Sequence, residues 1–146
     1  MEFDLMTGGH TWKNSAELAS RLENAGFSGM LFTEASQVPW MMIAAAAAAT
    51  AAQTLEFSTG IAVAFPRSPM MSAQIAWELA MNTGGRFRLG LGSQVKSHVI
   101  RRYGSHFDKP ALQMKDYVGA FKACIRAFRG EESLFHEGPY YNLNLL

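Results

Sequence analysis

"GGRFRLGLGSQVKSH", residues 84–98, holds the pattern on which the architecture turns. Arg86, Phe87, Arg88, Leu89 and Leu91 alternate polar with apolar, as a strand does. Gly90 and Gly92 then lead into a helix start at Gln94 to Val99. A strand that ends in Gly-x-Gly and runs into a helix can cradle a phosphate. The dinucleotide fingerprint needs a third glycine where Val95 stands, and it belongs in the first βαβ unit rather than after a fourth strand. The P-loop frame is not met around Lys96 either. What remains is more general: Gly92, Ser93, Gln94 and Val95 offer backbone N–H groups and small polar side chains at the carboxyl end of a strand. Ligands bind at that end in open parallel sheets and in barrels. A plain tight turn is the competing reading.

Upstream, the same alternation of strand and helix recurs. "MEFDLM" reads as an opening strand. Asn14 is a candidate N-cap, with Glu17 closing a capping box, and Leu18, Leu22 and Ala25 form one face of a helix stopped by Gly26. "GMLFTE" (29–34) is a second strand. A helix begins near Pro39 and continues through the alanine-rich run to Ala52, where small side chains allow close approach to a sheet. "LEFSTGIAVAF" (55–65) reads as one buried strand. Ser68 and Pro69 supply the N-cap and first position of the next helix, whose inner face is Ala73, Ala76, Trp77, Ala80 and Met81 and whose end is Gly84–Gly85. Downstream, a long helix over about 111–128 carries the stripe Leu112, Tyr117, Phe121, Cys124, Ile125 and Phe128. Two short strand-like pieces around Gly138–Pro139 close the chain.

Four alternations of apolar strand and helix are the pattern of parallel βαβ units. An open doubly wound sheet and part of a (β/α)₈ barrel both fit. A whole barrel takes about 250 residues, so 146 residues would supply roughly half of one. Composition bounds the rest. The chain is 49% hydrophobic and 17% charged with a formal net charge of +1, which argues against nucleic acid or an anionic membrane as partner. A lone Cys124 leaves no internal disulfide and fits a reducing compartment. The apolar run over 41–52 is too short to span a bilayer, and the expectation is a cytoplasmic protein acting on a small molecule.

The remaining candidates each carry two readings. Glu34, at the carboxyl end of the second strand, is either a functional-rim acid or a solvated loop acid. Gly60, inside a strand, marks a bulge or a close approach to a flat ligand, or only packing. His98, Arg101, Arg102 and His106 could meet an anionic ligand tail, or form a solvated basic face. No third ligand at useful spacing supports a metal site, no nucleophile set names a catalytic residue, and Cys124 reads as core.

Residues 58–104, "STGIAVAFPRSPMMSAQIAWELAMNTGGRFRLGLGSQVKSHVIRRYG", resemble the bacterial luciferase-like monooxygenase superfamily. The similarity is strongest to its branch of oxidoreductases that use the deazaflavin coenzyme F420. "AGFSGMLFTEASQVPW" upstream, and "PALQMKDYVGAFKACIRAFRG" and "GPYYNL" downstream, resemble the family in the same order. The resemblance implies the N-terminal half of a TIM-type (β/α)₈ barrel, about four parallel β/α units with a hairpin-like tail. It implies one partial domain over 1–146 that stops before the fifth strand. It implies hydride transfer with coenzyme F420 to or from a small organic substrate. The alternatives are an FMN-dependent monooxygenase using O₂ and an inactive half-barrel serving as an interaction module. Glu34 matches an acid lining the ring pocket, Gly60–Ile61 a non-prolyl cis peptide behind the ring, and Gly92, Ser93, Gln94, Val95 and His98 the cofactor-binding turn and its helix. In a half-barrel the inward-facing Phe57, Ile61, Leu89 and Leu91 would lack opposing layers. The open sheet edges favour a homo-oligomer.

Overall fold

Apolar runs too short for helices, each followed by a glycine- or proline-punctuated helical stretch, generate the element order seen in a computed structural model that describes residues 1–8, 11–34, 37–40, 42–50 and 53–146. In chain order these are β1 (Asp4–Thr7), α1 (Trp12–Asn24), β2 (Gly29–Phe32), α2 (Met42–Ala48), β3 (Glu56–Thr59), β4 (Ala62–Val63) and α3 (Pro69–Asn82). There follow β5 (Phe87–Arg88), β6 (Leu91–Gly92), α4 (Lys96–Arg101), α5 (Pro110–Phe128), β7 (His136–Glu137) and β8 (Asn142–Leu143). Two compact units form, Met1–Ala62 with Glu78–Leu91 and Val63–Trp77 with Gly92–Leu146. No helix among the described residues is long and apolar enough to cross a membrane.

The first unit is built on a parallel sheet in the order β1-β2-β3-β5. Helical crossovers return each strand in the same direction, as a parallel ladder requires. The register pairs Leu5 with Met30, Met30 with Phe57, and Phe57 with Phe87. Met30, Phe32, Leu55 and Phe57 are buried together with Ala19 and Leu22 of α1 and Ile43 and Ala46 of α2. Phe57 therefore does not lack cover, contrary to the half-barrel expectation: it is fully buried, and the Arg86 guanidinium lies 5.6 Å from its ring centroid. Arg86 is held there by donating to the Leu55 carbonyl at 2.5 Å and the Thr83 carbonyl at 2.8 Å. Trp40 stacks on Phe87 with centroids 6.0 Å apart.

Local signals set most boundaries, with corrections. The quoted strand is two, β5 and β6, in different sheets, the helix after it starts at Lys96 rather than Gln94, and Met81 is exposed rather than on the inner face of α3. Thr11, not Asn14, caps α1: its hydroxyl accepts from the Asn14 N–H at 3.2 Å. The helix thus starts earlier than a box closed by Glu17 would place it. The alanine helix begins at Met42 rather than Pro39 and ends at Ala48; Ala51 and Ala52 lie outside the described residues. The apolar run 55–65 is two strands rather than one, broken at Gly60–Ile61; the peptide bond there is cis, as the family resemblance implies. Leu112 is more than half exposed and leaves the α5 stripe. Ser68 does cap α3, accepting from the Met71 N–H at 3.1 Å, with Pro69 first in the helix. Gly84 and Gly85, both at positive φ, end it.

The second unit packs α5 against the first part of α3. Ala73, Ala123, Cys124, Ala127 and Leu134 form its apolar cluster, with Met70, Phe121, Ile125 and Phe128 around it. Cys124 is core, and burial pushes its thiol up from the ordinary value. Trp77 meets Phe128 edge-on at 5.7 Å. The tail is an antiparallel hairpin, with His136 paired to Leu143 and Glu137 to Asn142.

Candidate functional site

Within the first unit, the strand ends position the expected residues through backbone bonds. The Gly60 N–H donates to the Phe32 carbonyl at 2.8 Å, and the Thr33 N–H donates to the Thr7 carbonyl at 2.8 Å. The carboxyl ends of β1, β2 and β3 therefore lie side by side. Glu34 follows two residues after β2, half-buried. Gly60 has no room for a side chain: a Cβ there would lie 2.7 Å from Leu31 Cγ and 2.8 Å from Cδ1. At the next strand end, Thr59 and Gly90 exchange two bonds of 2.8 Å, Thr59 Oγ1 donating to the Gly90 carbonyl and accepting from its N–H. A Cβ on Gly90 would collide with the Thr59 carbonyl oxygen. That exchange, invisible in the quoted glycine pattern, gives Gly90 a packing reason of its own.

Within the second unit, Gly92 closes β6 and its carbonyl accepts from the Ala64 N–H at 2.9 Å. Gln94 takes a left-handed conformation with φ 62°, and its side-chain Oε1 accepts the Val95 N–H at 3.1 Å. One of the four N–H groups expected for a ligand is thus engaged by the turn itself. Val95 is the N-cap of α4 and provides no side-chain cap. His98 lies on α4, anchored beside the fully buried Val99, and its Nδ1 is buried with no hydrogen-bond partner among the described residues. Buried polar atoms normally have partners, so this orphan marks His98 as the residue of the turn region with an unmet demand.

One polar cluster escaped the sequence reading. Asp116, almost wholly buried on α5, accepts from His136 Nε2 at 2.7 Å through one oxygen. Its other oxygen accepts from the N–H groups of Tyr140 at 2.7 Å and Tyr141 at 3.0 Å. Burial raises the carboxyl, but the bonds from His136, Tyr140 and Tyr141 outweigh it and hold the group below the ordinary carboxylate value. Gly119 leaves room for the His136 ring, since a Cβ would stand 3.0 Å from its Cε1. Beside it, the Tyr117 and Ser72 hydroxyls are 2.6 Å apart, and Tyr117 donates to the Ser68 carbonyl at 3.2 Å. Burial pushes the Tyr117 hydroxyl up to about 12, so it stays protonated at neutral pH. The available signal was an acid next to Tyr117 on the apolar side of a helix, which calls for a buried partner.

The sequence model of the luciferase-like monooxygenase family matches residues 2–146. The chain belongs to the luciferase-like monooxygenases. Its relatives include a protein of Mycobacterium bovis, 36% identical over 132 residues that make up 90% of this chain and 38% of that one. A Mycobacterium tuberculosis protein whose name assigns it, provisionally, as a coenzyme F420-dependent oxidoreductase is 29% identical over 139 residues, 91% of this chain and 37% of its own. Among solved structures, a monooxygenase from Streptomyces bottropensis superposes with a TM-score of 0.80 at 21% identity, over 100% of this chain and 48% of that one. The oxygenating constituent of 3,6-diketocamphane monooxygenase from Pseudomonas putida, solved with FMN, gives 0.75 at 20% identity and 44% of its chain. These likenesses show the fold: a parallel α/β arrangement of the luciferase-like barrel type, spanning under half the length of each of these proteins.

Proposed function

We propose that the protein is the cofactor-binding portion of an F420-dependent oxidoreductase that transfers hydride to or from a small organic substrate. The observation that carries this reading is its similarity, across nine-tenths of the chain, to the mycobacterial relative named for coenzyme F420. The residues present fit a flavin-like group. Gly60 sets bare backbone at a strand end where a side chain has no room, and His98 holds an unsatisfied buried nitrogen.

By the family resemblance, Glu34, Gly60 and Ile61 would contact the ring, and Gly92, Ser93, Gln94, Val95 and His98 the chain that ends in phosphate. A deazaflavin carries carbon in place of the ring N5 and supplies two-electron hydride chemistry when bound. The protein's part is to bind, orient and exclude water. The N–H groups of the turn other than that of Val95 would donate to anionic oxygens, while the Ser93 hydroxyl donates to the Gln94 carbonyl at 3.2 Å and Gln94 Oε1 accepts the Val95 N–H, bonds that hold the turn in shape. The whole chain is then one partial barrel domain, working on a small molecule in a homo-oligomer.

The FMN found with the Pseudomonas putida structure supports a second reading, an FMN-dependent monooxygenase using O₂. Absorbance titration separates the two. Saturable perturbation of the deazaflavin band, with none for FMN at equal concentration, is the expected result. The reverse selects the monooxygenase, and silence with both leaves a structural or interaction module. Gly92→Ala should weaken binding of whichever cofactor responds; unchanged affinity would remove this turn from the site.

A further inference from the structure

Within the second unit, α5 and the hairpin border a groove of about 460 Å³. That lies in the range of small-ligand sites, about 300–1,000 Å³. Leu112, Pro139 and Tyr140 give it apolar walls, and Lys109, Lys115 and His136 line it with them. None of these residues belongs to the set assigned above to the cofactor. Leu112, which leaves the α5 stripe, is 55% exposed and lines this groove instead. Both lysines are exposed, and neither meets a carboxylate among the described residues. The acids close by are already engaged. Asp116 accepts from His136, Tyr140 and Tyr141, and Asp108 accepts from the Tyr140 hydroxyl at 3.4 Å. Lys109 opens α5 in a left-handed conformation, φ 36°, with no side-chain cap. A lysine kept where glycine would be unstrained is the kind of backbone outlier that gathers at ligand clamps.

His136 supplies a second, independent polar feature. An ionised carboxylate only accepts, so Nε2 carries the proton of its bond to Asp116. In the neutral ring Nδ1 is then an acceptor, and it has no partner among the described residues. Gly119 fixes the ring in place, since a Cβ there would stand 3.0 Å from His136 Cε1. The groove thus combines two uncompensated cations, apolar walls and one oriented acceptor.

We propose that this groove binds a small aromatic acid that also carries a hydroxyl group. Its carboxylate would meet Lys109 and Lys115, its rings would lie against Leu112, Pro139 and Tyr140, and its hydroxyl would donate to His136 Nδ1. Two ammonium groups act as point charges and suit a carboxylate without imposing a fork geometry. An aromatic body matches the open leucine and the tyrosine ring, whereas an inorganic anion would leave those walls wet. From Leu112 to Gly119 the helix rises about 10 Å, the length of a two-ring hydroxy acid. The site is independent of the cofactor reading: a chain that bound neither flavin nor deazaflavin would keep it.

The test uses the whole chain and 6-hydroxy-2-naphthoate, with 2-naphthoate and 2-naphthol as probes lacking one group each. The proton on His136 Cε1 is followed by NMR and identified by its Overhauser contact with Gly119, so binding elsewhere goes unread. Expected is a saturable shift with the hydroxy acid. Each of the other probes should bind roughly fivefold more weakly, the size of one hydrogen bond or of exposed charge pairing. Lys109→Gln/Lys115→Gln should abolish the advantage of the hydroxy acid over 2-naphthol and leave 2-naphthol binding unaltered. Lys122→Gln, on the same helix outside the groove, should change nothing. Both groove lysines are exposed, so circular dichroism should be unchanged; should the double variant fail to fold, Leu112→Ser is read instead and must weaken all three probes. An unsaturable response, or equal affinity for the hydroxy acid and either other probe, overturns the proposal. So does an advantage of the acid that survives removal of both lysines.

Discussion

Asp116 has both carboxylate oxygens occupied by the hairpin that follows its helix, His136 on one and the Tyr140 and Tyr141 amides on the other. Asp116→Asn replaces one acceptor by a donor facing donors. Hydrogen bonds to charged groups contribute about 1.5–3 kcal/mol, so urea unfolding at pH 7 should show a loss of about that size. The pH dependence follows from the lowered folded value. The stabilisation is complete above the ordinary carboxylate value of about 3.9. It fades as pH falls through the lower folded value, where both states bind the proton. The gap between wild type and Asp116→Asn should therefore narrow in acid; a constant gap down to pH 3 would show that the charge contributes nothing. Sequence alone could show that Asp116 lies on the wrong side of a helix for an acid. It could not show which donors meet it, because they come from residues 20 to 25 positions away.

The caps and strand ends divide along the same line. A cap is chosen among neighbours, and Thr11 competes with Asn14 because both precede an apolar face; it is Thr11 that has extended backbone and accepts the Asn14 N–H. Thr11→Ala should cost about 1 kcal/mol, and Asn14→Ala, inside the first turn, less than half of that. Thermal melts of the two variants check the order, and the opposite order would restore Asn14 as the cap. Gly90 belongs to the strand ends. Its added methyl meets the Thr59 carbonyl, a backbone atom that cannot swing aside. Gly90→Ala should destabilise by about 1–3 kcal/mol, as overpacking does, whereas Gly104→Ala, in open space, carries only the strain of its positive φ. A Gly90→Ala protein as stable as wild type would mean that β3 and β5 can part at that point.

The sheet of the first unit has β1 at one edge and β5 at the other. Unpaired edge groups recruit further strands, and Phe3 and Met6 beside and within β1 are mostly exposed. Sedimentation of the chain should show association that increases with concentration. Met6→Lys, a charge on an edge strand, should reduce it while circular dichroism stays the same. A monomer at all concentrations would show that these edges are not sticky.

Alternation of short apolar runs with capped, glycine-stopped helices was enough to determine a parallel α/β chain, because each of those signals acts over a few residues. Ser68–Pro69, Gly84–Gly85 and the run around Phe57 do so without help from the rest of the molecule. The quoted turn at 90–95 and the basic stretch beyond it were also legible, as groups at a strand end with no acids nearby. Tertiary structure alone decided that Gly90 answers to Thr59, that Phe57 is covered, and that Asp116 holds the hairpin. Each of these depends on what a distant segment places within a few ångströms, and periodicity along one segment carries no record of its neighbours across space.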